Sequence, residues 1–138
     1  MRNALPGQPV RGSRSGAPIM ALFDLLGRRW AMGVLWTLAE VGPCTFRELQ
    51  HRCETISPAV LNTRLKELRA SQLIERAERG YIVLPRGREL YAMLVPLGKW
   101  SKSWAKDVVA ENARVESATP APSRPGEPKS RSRLGARP

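Results

Sequence analysis

Ser57 and Pro58 open a stretch in which Leu61, Leu65 and Leu68 recur at i, i+4 and i+7. Serine is a favoured N-cap and proline a favoured first helical residue. The leucine spacing predicts a helix over about residues 58–71 with a single apolar stripe turned inward. Once that stripe is fixed, Pro58, Ala59, Asn62, Thr63 and Lys66 face outward. Immediately afterwards the period changes. Leu73–Ala77 and Tyr81–Leu84 read as two short strands joined by a tight turn at Arg79-Gly80. A lone hairpin is marginal in water, so this one must lean on helices.

The flanking segments supply them. Thr45 lies three residues before Glu48, the capping-box spacing, and predicts a helix over 46–53 with Phe46 and Leu49 inward. Gly42-Pro43 ends an earlier helix, Arg28–Val41, in which Trp30, Val34, Leu35, Leu38 and Val41 fall at helical spacing. A short apolar helix, Pro18–Leu26, precedes it and is broken at Gly27. Downstream, Pro85 to about Asn112 is helical, with Met93, Leu97, Trp100, Trp104 and Val108 on one face. Pro96 is expected to kink or split that run. The resulting class is mainly α with a small β-hairpin: a winged helix-turn-helix domain with N- and C-terminal dimerisation helices.

At 138 residues the chain has room for one domain. Residues 1–16 and 117–138 are rich in Pro, Gly, Ser and Arg and hold too little apolar surface to offset ordering entropy. Both are expected to be disordered basic tails, leaving residues 17–116 as the folded unit. The net charge is +11; the tails hold eight Lys or Arg against one acid, and the core fifteen against eleven. A basic domain with basic tails suits a polyanion, although solubility explains the tails equally well.

Other classes fare worse. The longest apolar run, Ala17–Phe23, is far shorter than the ~20 residues that span a bilayer, and no small-residue cleavage site follows it. A cytoplasmic protein without a membrane partner is expected. One histidine, no Gly-rich phosphate loop and no nucleophile–base pairing argue against an enzyme or a cofactor. Cys44, His51 and Cys53 lack a fourth ligand and Cys-x-x-Cys spacing, so no metal site is expected. Cys44 and Cys53 are expected to be free and reduced. Cys44, in a Gly-Pro-Cys-Thr turn at a helix start, is the candidate redox residue, because the helix dipole there lowers a thiol pKa. Cys53 fits a packed position better.

In a helix-turn-helix the second helix enters the major groove. Base readout is therefore assigned to Ser57, Pro58, Ala59, Asn62, Thr63 and Lys66. Asn62 suits adenine, and Pro58 or Ala59 a thymine methyl. Phosphate and wing contacts are assigned to Thr45, Arg47, Arg69, Arg76 and Arg79, with Arg79 at the wing tip. A plain solvated helix face is the alternative, and a protein-docking module is the rival function; steep salt dependence marks the DNA reading. The stripe of Leu97, Trp100, Trp104 and Val108, together with Leu22, is assigned to a two-fold dimer interface. Folding of both tryptophans back onto the first helix is the alternative. The expected partners are double-stranded DNA, a second copy of the chain, and an unidentified small-molecule or redox effector.

Several motifs in this order resemble the HxlR-type transcription regulators, a branch of the MarR-like winged helices. Gly27-Arg28-Arg29-Trp30 is similar to that family's Gly-x-Lys-Trp, and Thr45-Phe46-Arg47-Glu48-Leu49 to its Arg-Phe-x-Glu-Leu. Ile56-Ser57 with the three leucines resembles its recognition helix, and Leu73-Ile74-Glu75-Arg76 its first wing strand. Tyr81-x-Val83-Leu84-x-x-Gly87 resembles its Tyr-x-Leu-Thr-x-x-Gly, and Pro96 and Trp104 match the Pro and Trp of the last helix. The resemblance spans about residues 19–105 and implies homodimeric binding to a pseudo-palindromic operator, usually as a repressor. Three features depart from the family pattern. The wing is shorter, Leu84 replaces a capping Thr, and the N-terminal cysteine of thiol-sensing members has no counterpart here.

Overall fold

The computed structural model of the chain describes residues 3–119. The elements are α1 (Pro18–Gly27), α2 (Ala31–Val41), α3 (Phe46–Arg52), α4 (Pro58–Ala70), β1 (Ile74–Ala77), β2 (Gly80–Val83) and α5 (Pro85–Ala118). The described residues divide into two compact units between Lys99 and Trp100, inside α5.

The first unit is organised around the leucine stripe of α4. Leu61, Leu65 and Leu68 are 0%, 1% and 0% exposed and share one core with Val34, Leu35 and Leu38 of α2, Leu49 of α3 and Ile74 of β1. Each leucine buried to this degree contributes about 1.5–3 kcal/mol. The Ser57 hydroxyl accepts from the Val60 N–H at 3.2 Å, and Pro58 takes the first helical position, so α4 begins where the chain chemistry favours it. Thr45 and Glu48 form the full capping box on α3.

β1 and β2 pair antiparallel, with Ile74 opposite Val83 and Ala77 opposite Gly80. The turn is therefore Glu78-Arg79, one residue earlier than expected. Gly80 belongs to the ladder, and its φ of +122° and its close approach to the Cys44-Thr45 backbone both require a glycine. Cys44 and Tyr81 exchange two backbone hydrogen bonds, 3.2 and 2.7 Å, which tie the wing to the residues that cap α3. A side chain at position 80 would overlap the Cys44 carbonyl. Gly87 plays the matching role in α5, where a Cβ would overlap the Leu73 carbonyl. This gives a physical reason for the glycine that closes the Tyr81-to-Gly87 motif.

Three further expectations need correction. Residues 3–16 are not a loose tail: Ala4 is buried in the core, Val10 pairs with Ser13, and the Arg11 N–H donates to Asp24 at 3.3 Å. The apolar surface on α1 and α5 gives this segment something to bury, which its composition alone did not reveal. α2 starts at Ala31 instead of Arg28, because Trp30 adopts a left-handed conformation, φ 72°, as its N-cap. α5 runs unbroken through Pro96 to Ala118. Proline removes one N–H, and the first half of the helix is held independently, by Leu90 and Leu94 on the core and by Tyr91 edge-on to Trp36 at 5.0 Å.

The second unit holds the Trp100–Ala118 part of α5. Trp100 and Trp104 stack with ring centroids 5.7 Å apart, and Arg114 pairs with Glu111 at 2.9 Å. The expected tail of 117–138 lies, after Thr119, outside the described residues.

Candidate nucleic-acid interface

One stripe of α4 is left to solvent. Pro58, Ala59, Asn62, Lys66 and Arg69 are all exposed, as is the cap residue Ser57. At 100° per residue the five helical positions fall within about 60° of Asn62 around the helix axis. Thr63 sits at the edge of the stripe. It is half-buried, and its hydroxyl donates to the Ala59 carbonyl at 3.0 Å. Its proton is thus already engaged within the helix, which weakens its assignment to base readout relative to Asn62.

The wing and the start of α3 border the same face. Thr45, Asn62, Arg76 and Arg79 line one cleft of about 460 Å³ together with Phe46 and Tyr81. The two hydrogen bonds between Cys44 and Tyr81 are what bring Thr45 and the wing arginines to this place. The Thr45 hydroxyl accepts from the Glu48 N–H at 3.2 Å, leaving its proton available to donate to a phosphate. Arg47, Lys66 and Arg69 are exposed but do not line that cleft. The arginines at 76 and 79 are likewise exposed and make no ion pair among the described residues.

The opposite side of α4 carries a cluster that the sequence did not suggest. Glu67 is 3% exposed and accepts from Arg64 at 2.8 and 2.9 Å and from Arg28 at 2.7 Å. Arg28 also reaches Asp24 at 3.3 Å, and Arg64 donates to the Arg29 carbonyl. Burial raises the Asp24 carboxyl, but the Arg28 hydrogen bond, the Arg11 N–H and the two arginine charges outweigh it, so the net shift is downward. Arg64 and Glu67 stand roughly 140–160° around the helix from Asn62. They fix the inward back of α4 to the α1–α2 corner. An i,i+3 Arg–Glu pair looks like an ordinary surface pair in sequence; only the fold shows that it is buried.

The remaining assignments change in detail. Cys44 is fully buried, and burial, followed by the nearby Glu48 charge, raises its thiol pKa. Burial does the same to Cys53. Burial thus works against the activated thiol expected at Cys44. Leu22 packs partly against the core, and the outward apolar residues of α1 are Ile19 and Phe23. Leu97, Trp100, Trp104 and Val108 are exposed, the two tryptophans at 61% and 52%. Among the described residues no helix is long and apolar enough to cross a membrane, and no His/Cys/Asp/Glu group of three or more is arranged to hold a metal.

Comparison with known proteins follows the same outline. A sequence model of the family described as HxlR-like helix-turn-helix matches residues 25–109. The uncharacterized HTH-type transcriptional regulator BH0655 of Halalkalibacterium halodurans is 38% identical over 61 residues, covering 44% of this chain and 54% of that protein. The chain thus spans about half the length of that relative. The HTH-type transcriptional regulator YodB of Bacillus subtilis is 29% identical over 101 residues, covering 67% of this chain and 89% of YodB. The structure of quinone-bound YodB from B. subtilis aligns at a TM-score of 0.58 and 30% identity, covering 62% of this chain and 96% of that one. A possible HxlR family transcriptional factor from Thermoplasma volcanium GSS1 aligns at 0.55 and 23% identity, covering 62% and 82% respectively, and shows the shared fold.

Proposed function

This chain belongs to the HxlR-like helix-turn-helix family, and from that premise we propose that it is a cytoplasmic, sequence-specific transcription regulator. In this reading it binds double-stranded DNA as a homodimer on a pseudo-palindromic operator and represses the adjoining genes. One observation carries the reading. The leucine side of α4 is sealed in the core while Asn62, Lys66 and Arg69 stay exposed on the other side, and Asn62 shares a cleft with two wing arginines.

The division of labour follows from chemistry. Ser57, Pro58, Ala59 and Asn62 sit where a reading helix presents its first turns to base edges. Asn62 offers an amide that pairs bidentately with adenine, and Pro58 and Ala59 offer small apolar surfaces to a thymine methyl. Thr45, Arg47, Arg69, Arg76 and Arg79 supply hydroxyl and guanidinium donors to phosphates on either side. A second copy, joined through the exposed apolar residues of α1 and α5, sets two reading helices about one DNA turn apart. The quinone-bound state of YodB supports a small-molecule effector for this chain as well.

The test begins with selection of bound fragments from a genomic library by the full chain. The enriched duplex is then titrated by fluorescence anisotropy from 50 to 200 mM salt. Affinity is expected to fall by about 10³-fold or more over that range, as for a protein with six or more phosphate contacts. No enriched motif, or an affinity flat in salt, overturns the reading.

A further inference from the structure

Between residues 3–14 and the C-terminal half of α1 lies a pocket of about 360 Å³, within the range of small-ligand sites. Pro9 and Val10 give it an apolar wall; Arg11, Arg14 and Arg28 give it three guanidinium groups against one carboxylate, Asp24. Asp24 is already matched, at 3.3 Å each, by Arg28 and by the Arg11 N–H. Neither the Arg11 nor the Arg14 guanidinium makes an ion pair among the described residues. The pocket therefore holds uncompensated positive charge beside an apolar surface. That combination suits an anion with an organic body better than a bare inorganic ion.

One residue of the pocket's lining also holds the back of α4. Arg28 lines the pocket and donates to Glu67 of α4 at 2.7 Å, and Glu67 in turn receives Arg64. Glu67 is buried, so it depends on these two arginines for its charge compensation. A carboxylate arriving next to Arg28 competes with Glu67 for the same guanidinium. The setting of α4 on the α1–α2 corner then changes, and with it the position of Asn62.

We propose that this pocket binds a small organic carboxylate, and that its occupancy reaches α4 through Arg28 and Glu67. The pocket stands on its own geometry, whereas its effect on DNA rests on the function proposed above.

The full-length chain, labelled with ¹⁵N, is titrated with sodium benzoate and separately with sodium phosphate, at ionic strength held constant with chloride. Benzoate is expected to give saturable amide shifts at residues 10–14 and 24–28, extending to Glu67, with a Kd of about 1 mM or tighter. An Arg11→Ala/Arg14→Ala double variant, altered only at exposed positions, is expected to bind benzoate at least ~10-fold more weakly, as loss of charge-assisted hydrogen bonds implies. Shifts that fail to saturate, map elsewhere or persist in the double variant overturn the site. Phosphate binding as tight as benzoate overturns the carboxylate assignment. Saturating benzoate is further expected to change operator affinity by about 5-fold or more in the unaltered chain and not in the double variant. Unchanged affinity overturns the coupling alone. If benzoate binds as expected but no duplex is bound at all, the DNA reading fails while the pocket stands.

Discussion

Asn62 and Arg64 lie two positions apart and face different worlds. Asn62 is exposed beside the wing, whereas Arg64 is turned back onto Glu67 and the Arg29 carbonyl. Replacing each outward residue separates specificity from affinity. Asn62→Ala is expected to relax preference at one base step, by about 1–3 kcal/mol against the favoured base, with little change in binding to random duplex. Arg79→Ala is expected to weaken specific and random DNA alike and to lower the salt slope by about 1. Competition binding on operator and shuffled duplexes distinguishes the two. If Asn62→Ala instead weakens all sequences equally, that side chain touches backbone and not base. Asn62 was legible from the sequence because three leucines dictate which side of the helix remains. Arg64 and Glu67 were not, because a charged i,i+3 pair carries no mark of whether a neighbouring helix covers it. Cys44 shows a related limit. Its position before a helix is plain in the sequence, but its complete burial depends on the wing strand that pairs with it.

Elements show a second kind of limit, in which local signals place the parts and tertiary contacts adjust their ends. The caps of α3 and α4 appear where Thr45 and Ser57 predict them. The hairpin turn lies one residue early, because Gly80 is held by its approach to Cys44 and not by the turn itself. Gly80→Ala is accordingly expected to destabilise the fold, since a Cβ would collide with backbone, whereas an ordinary helix or strand Gly→Ala change stabilises by up to ~1 kcal/mol. Urea unfolding compares it with Gly27→Ala, a position with open space around it; equal costs contradict the close approach. The α1–α2 corner answers to pH. Asp24 has a lowered pKa, so its stabilising contribution is complete above the ordinary carboxylate value near 3.8 and is lost as pH falls through its folded value. Asp24→Asn is expected to be the less stable chain at pH 7, with a shallower loss of stability below about pH 5. Parallel stability curves from pH 7 to 3 for the two chains dismiss the effect.

Over the whole molecule, the apolar surface left uncovered matters more than the core that is covered. Ile19 and Phe23 on α1, Met93 and Leu97 on α5, and Trp100, Trp104 and Val108 further along α5 are all exposed in the single chain. Two stacked tryptophans that are each more than half exposed are costly, since their side chains are large and mostly apolar. The sequence assigns Leu22 to the same surface; it packs partly against the core, and Ile19 and Phe23 are the exposed apolar residues of α1, because the helical period alone does not say which of two apolar faces meets the core. A chain with a net charge of +11 repels its own copies, so the dimer proposed above depends on that apolar surface. Trp104→Ala removes a large, half-exposed residue, and is expected to raise the dimer dissociation constant by at least ~10-fold, as loss of a buried aromatic anchor does. Sedimentation velocity at micromolar concentration reads this directly. The same variant is expected to bind an isolated half-site duplex as the unaltered chain does, while losing affinity for the full operator. Loss on both duplexes means a damaged fold, which urea unfolding detects; unchanged sedimentation removes this helix from the interface.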